Sequence, residues 1–146
     1  MTLPASRFFG SEEFRCKDSS PYPEAWPDRW ATLSALCDAI RDAWGGPLVV
    51  VSGYRTDAYN KRLSATGHHV ASSSQHVEGR AADLQPKFIQ TVVTPVFALH
   101  EMILRLHQHG DLPTLGGLGI YDGWVHVDFF AAPDGHLRRW DQRAKP

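Results

Sequence analysis

The sequence predicts one α+β domain in which helices flank a small, mostly antiparallel sheet, and three observations lead there. Apolar residues recur at helical spacing in two stretches, 28–44 and 95–109. Short runs that are β-branched or alternate in polarity stand between and after them, at 48–51, 81–84 and 124–130. The 146 residues are 42% hydrophobic and 11% aromatic, enough to fill one core. No repeat, low-complexity tract or internal linker divides the chain. We therefore read residues 1–146 as a single domain with a core over about 8–140.

Each element has a local reason. Ser11 with Glu12 and Glu13 opens a helical turn, and Pro21, Pro23 and Pro27 then hold the chain extended. In helix 28–44, Leu33, Leu36, Cys37, Ile40 and Trp44 share one face, and Gly45-Gly46-Pro47 ends it. Leu48-Val49-Val50-Val51 is an uninterrupted β-branched run, the pattern of a central strand. Thr56 or Asp57 can cap a short helix over 58–65, and a polar loop with His68 and His69 follows. Ala81 to Leu84 begins a buried strand ending at Pro86. Thr94-Pro95 starts a helix that buries Val96, Leu99, Ile103 and Leu106 and leaves His100, His107 and His109 on or near its exposed side. Residues 116–121 form a glycine-rich strand, Asp122-Gly123 turns, and 124–130 returns. Pro133-Asp134-Gly135 is expected to fold 136–140 back as a hairpin partner.

Composition narrows the function. A net charge of -1 does not favour electrostatic nucleic-acid binding. No run approaches the ~20 apolar residues of a membrane span. The first residues lack the basic, apolar and small-residue succession of a signal peptide, so we expect synthesis in the cytoplasm. Cys16 and Cys37 resemble neither a CxxC pair nor a disulfide framework; Cys37 reads as a core thiol.

Two runs carry the chemistry. Ser74 to Leu84 places His76 and Asp83 seven residues apart, the aspartate inside a strand that reads as buried. A buried carboxylate requires a partner or a cation. The run 124–130 adds His126, with Asp128 on the same strand face. Two histidines and one carboxylate are a common ligand set for catalytic zinc, so we expect His76, Asp83 and His126 to hold a zinc ion. His68 and His69 are rival ligands. A structural His126–Asp128 pair is the alternative for the second run.

These residues also resemble a known family. Ser74-x-His76-x-x-Gly79-x-Ala81-x-Asp83 matches the SxHxxGxAxD pattern of the M15 zinc peptidases. That group contains D-alanyl-D-alanine carboxypeptidases and is structurally related to the zinc domain of hedgehog proteins. Ser52-Gly53-Tyr54-Arg55-Thr56, with Asn60 after it, looks like the family's SGYR segment. Gly117-Leu118-Gly119-Ile120-Tyr121 followed by Val125-His126-Val127-Asp128 looks like its GxGxY…FVHxD end, and Arg139-Trp140 like its closing RW.

The resemblance implies a hedgehog/DD-peptidase-like fold, zinc on His76, Asp83 and His126, and Arg55 and Ser74 at the substrate. The substrate it implies is a peptidoglycan stem peptide, cut as a carboxypeptidase or as a cross-link endopeptidase. Relatives often carry an acid three residues before the last ligand, but here that residue is Gly123. Asp128 is then the favoured general base and Asp122 the second candidate. A monomer acting on the cell wall, as an exported or phage-delivered enzyme, fits these expectations. A zinc-binding wall or protein-interaction module without turnover is the competing reading.

Overall fold

The computed structural model describes residues 3–67, 74–87 and 95–144. A 3-10 turn at Ser11–Phe14 leads to helix α1 (Pro27–Trp44), strand β1 (Leu48–Ser52) and helix α2 (Asp57–Ala65). Strand β2 (Ala81–Pro86), helix α3 (Pro95–Gln108) and strands β3 (Gly117–Ile120), β4 (Val125–Asp128) and β5 (Arg138–Asp141) complete the order. The fold is α+β, as expected. Thr94, expected to cap α3, lies outside the described residues.

The helices form where packing and capping favour them. α1 buries Trp30, Leu33, Leu36, Cys37 and Ile40 along one face, at the spacing read from the sequence. Trp30 anchors that face. Its ring meets Phe14 at 5.1 Å and Tyr22 at 5.5 Å, both edge-on, and its Nε1 donates to the Pro4 carbonyl at 2.7 Å. α2 starts at Thr56, whose hydroxyl accepts from Tyr59 N at 3.1 Å and donates to Asp18 at 2.9 Å. Thr56→Ala removes both bonds. We expect a loss of about 1 kcal/mol of stability, read as a lower denaturant midpoint with an unchanged slope.

The strands lie in the order β1-β2-β4-β3-β5. β1/β2, β2/β4 and β3/β4 are antiparallel, and β3/β5 is parallel. The expected hairpin between β4 and β5 does not form. Both edges of β4 are already occupied, by β2 and β3, so β5 crosses over and joins the free edge of β3. Strand β4 is also shorter than expected, because Phe129 and Phe130 leave the ladder.

Alternation gives the sheet two different faces. Ala82, Leu84, Leu118, Val125 and Val127 enter the core with α1 and α3 residues such as Leu33, Ile40, Leu99 and Ile103. Asp83, His126 and Asp128 point the other way. His100 departs from expectation: it is buried on α3 with Nδ1 2.9 Å from Glu101. It lies one turn before the buried Ile103, on the same face of the helix. Cys16 and Cys37 are both buried and unbridged.

Candidate metal centre

One row across the sheet places the chemistry. Ser52 on β1 is opposite Asp83 on β2, Asp83 is opposite His126 on β4, His126 is opposite Gly119 on β3, and Gly119 is opposite Trp140 on β5. A register irregularity between Val50 and Ser52 brings Ser52 into this row. The neighbouring row is Ala81, Asp128, Gly117 and Arg138. Opposed residues share a face, so both rows project to the side away from α1 and α3.

His76 reaches this face from the loop before β2. Ser74 Oγ accepts from His76 N at 3.2 Å, and Ser74 O accepts from Val77 N at 3.1 Å, which closes a tight turn. Gly79 sits at φ 68°, and an added Cβ there would stand 2.8 Å from the Trp26 ring. Tyr22 Oη donates to the Gly79 carbonyl at 2.5 Å. His76 Nδ1 donates to the Gly53 carbonyl at 2.7 Å. That bond assigns the proton to Nδ1 and leaves the Nε2 lone pair facing Asp83.

His76, Asp83 and His126 come together and are all buried. Asp83 Oδ1 lies 3.2 Å from His76 Nε2 and 3.1 Å from His126 Nδ1. Four tetrahedral donors about 2.1 Å from a zinc ion stand roughly 3.4 Å apart, so the arrangement fits such an ion. The outer contacts fit as well: each imidazole uses its other nitrogen on a protein oxygen, Gly53 O for His76 and Asp128 Oδ2 at 2.7 Å for His126.

The electrostatics match a cation site. Burial opposes ionisation of Asp83, but the two imidazoles that face it, His76 and His126, outweigh it and hold the carboxyl below the usual range. Burial pushes the His76 pKa down, which favours the neutral imidazole a metal would need. Burial also acts to lower His126, yet hydrogen bonds to Asp128 and Asp83 prevail and raise it to about 9.

The other expected residues fall in distinct places. Arg55 is largely buried, with Nη2 3.6 Å from Asp83 Oδ2, Nε donating to Ser52 Oγ at 3.1 Å and Nη1 to Asn60 Oδ1 at 3.3 Å. Ser74 holds the His76 turn. Asp128 is fully buried on the Nε2 edge of His126, away from Asp83, and its Oδ1 accepts from Arg138 and from Phe130 N. Asp122 is exposed and accepts from Ala144 N at 3.1 Å. His68 and His69 lie outside the described residues.

Three neighbours escaped the sequence reading as functional groups. Arg138 pairs with Asp128. The Trp140 ring stands 4.9 Å from the His126 ring and its Nε1 donates to Tyr121 Oη at 2.9 Å. Tyr121 stacks on Trp124 at 5.2 Å and lies in the field of Asp83 and Arg55. Tyr121 and Trp140 lie in the GxGxY and RW segments that resemble the family, and Gly117-x-Gly119, which strips one strand face of side chains, was the signal for Arg138.

A family model described as Peptidase M15 matches residues 12–128. No curated protein matches the chain. The match spans the His76, Asp83 and His126 positions and most of the fold.

Proposed function

The chain belongs to the peptidase M15 family, and from that premise we propose that it is a zinc-dependent metallopeptidase acting on peptidoglycan stem peptides. The bond cut is D-Ala–D-Ala, as a carboxypeptidase, or a cross-link, as an endopeptidase. The observation that carries this reading is the meeting of His76 Nε2, Asp83 Oδ1 and His126 Nδ1 on one sheet face. Zinc held by these three residues would supply Lewis acidity toward a scissile carbonyl.

The chain's own groups divide the remaining work. Gly53 and Asp128 hold the two imidazoles so that one nitrogen of each faces Asp83. Arg55, braced by Ser52 and Asn60, offers a guanidinium beside Asp83 to a carbonyl or a terminal carboxylate of a peptide. Tyr121 and Trp124 supply an aromatic rim. Ser74 acts on His76 through the turn it closes. We assign Asp128 to the orientation of His126, because both its oxygens are already engaged.

One observation favours the competing reading of a zinc-binding module without turnover. Neither Asp122 nor Asp128 presents a free carboxylate to the three ligand atoms. Digestion of purified peptidoglycan with and without a chelator decides between the two. Chelator-sensitive release of D-alanine or of separated cross-links is the expected result, and its mass identifies the bond. Zinc uptake without hydrolysis would leave only the binding module. Asp122→Asn is expected to keep activity within about twofold of the parent, as an exposed surface change. A loss of a hundredfold would instead make Asp122 the base.

A further inference from the structure

Strand β5 reaches the metal site without adjoining any strand that carries a ligand. Between it and His126 lies β3, which contributes Gly117 and Gly119 to the face in question. A Cβ on Gly117 would fall inside van der Waals contact of both Asp128 Oδ2 and Arg138 Nη2, and one on Gly119 would overlap Trp140 Nε1. The two glycines thus leave a groove over β3. Arg138 crosses it to Asp128, and Trp140 crosses it to the His126 ring.

Arg138 makes two directed contacts at the end of that groove. Nη2 donates to Asp128 Oδ1 and Nε donates to the Phe130 carbonyl at 3.2 Å. Phe130 N donates in turn to Asp128 Oδ1 at 3.0 Å. The carboxylate is therefore held on one oxygen by two donors, and its other oxygen is aimed at His126 Nε2. Arg138 keeps partial exposure while Asp128 has none, so the guanidinium covers the carboxylate on its solvent side.

We propose that Arg138 is a positioning residue for the metal centre. It fixes Asp128, and Asp128 fixes the tautomer and ring orientation that turn the His126 Nδ1 lone pair toward His76 and Asp83. The inference rests on the metal-site reading above. A planar fork suits the role, because one side chain must grip the carboxylate and a backbone carbonyl together. Carboxylates behind ligating histidines commonly govern metal affinity, and here the control extends one residue further, to an edge strand.

The test measures zinc affinity by competition with a chromogenic chelator, and the visible spectrum of the cobalt-loaded protein. Wild type and His126→Ala come first. Tight binding lost in H126A supports the site itself; a wild type that binds no zinc overturns the site and this proposal together. Arg138→Gln is expected to weaken zinc by about 10- to 100-fold and to shift the cobalt bands. Asp128→Asn should do likewise, and adding R138Q to D128N should weaken zinc by no more than about twofold further. Wild-type affinity and spectrum in R138Q overturn the proposal while leaving the site intact. Losses that multiply in the double variant overturn it too, since Arg138 would then act independently of Asp128. Should R138Q fail to fold, Arg138→Lys keeps the charge without the fork. It is expected to bind several-fold more weakly with altered bands, and a wild-type result there refutes the role.

Discussion

Asp83→Asn and His126→Ala are each expected to yield protein that retains no zinc through gel filtration and cleaves no peptidoglycan above background. Asp83 supplies the only negative charge of the three ligands, and its Oδ1 is the atom that both imidazoles face. Amidation removes that charge and leaves the buried face with Arg55 as an uncompensated cation nearby. His126→Ala deletes one of the proposed ligands and also strips Asp128 Oδ2 of its partner. A tetrahedral site that loses one of three protein donors loses its affinity by orders of magnitude, and activity follows by roughly 10³-fold or more. Metal analysis, activity and circular dichroism on the same samples separate this from unfolding. A folded D83N that keeps stoichiometric zinc would dismiss the ligand set.

The second large effect is on pH. In the metal-free protein, His126 stands between Asp83 Oδ1 at Nδ1 and Asp128 Oδ2 at Nε2, so its protonated ring donates to a carboxylate on each side. Burial disfavours that charge, but the two hydrogen bonds prevail and lift the pKa from 6.5 to about 9. The proton on Nδ1 occupies the lone pair that zinc needs. Zinc affinity should therefore keep rising above pH 7, by about tenfold per pH unit until near pH 9. His76 and Asp83 add little to this slope, because both pKa values are displaced downward.

The same shift determines how stability responds. A folded pKa above the unfolded value gives stability that is complete below 6.5 and is lost as pH rises through about 9. Chelator-treated protein should melt at falling temperature over that window, and zinc-saturated protein should not follow it. The gap between the two melting curves thus widens with pH. Chelator competition and thermal scans from pH 6 to 9.5 check both trends. Affinity that levels off at pH 7 would mean that His126 titrates as an ordinary histidine and that its two carboxylate contacts are not made.

The carboxylates explain why the site was legible in part. Asp83 and His126 announced themselves because ionisable groups in apolar runs need partners, and their strand periodicity placed them on a face. The i, i+2 spacing also put Asp128 beside His126 correctly. Spacing alone could not say which edge of the ring Asp128 meets. That depends on the rotamer imposed by Arg138 and Asp83, which arrive from two other strands.

The sequence by itself determined the helices, the strands and the three residues that meet at the candidate metal site, because each rests on local periodicity, capping or the chemistry of an isolated buried charge. Helix α1, strand β2 and the Thr56 cap follow from residues within a few positions of one another. Only the tertiary structure decided the strand order, the parallel placement of β5 and the path from Arg138 through Asp128 to His126. Those depend on which strand edge remains free and on which glycines open a passage over a neighbour. Both join segments far apart in the chain: Gly117-x-Gly119 marks a bare strand face, but which side chains cross it is not written locally.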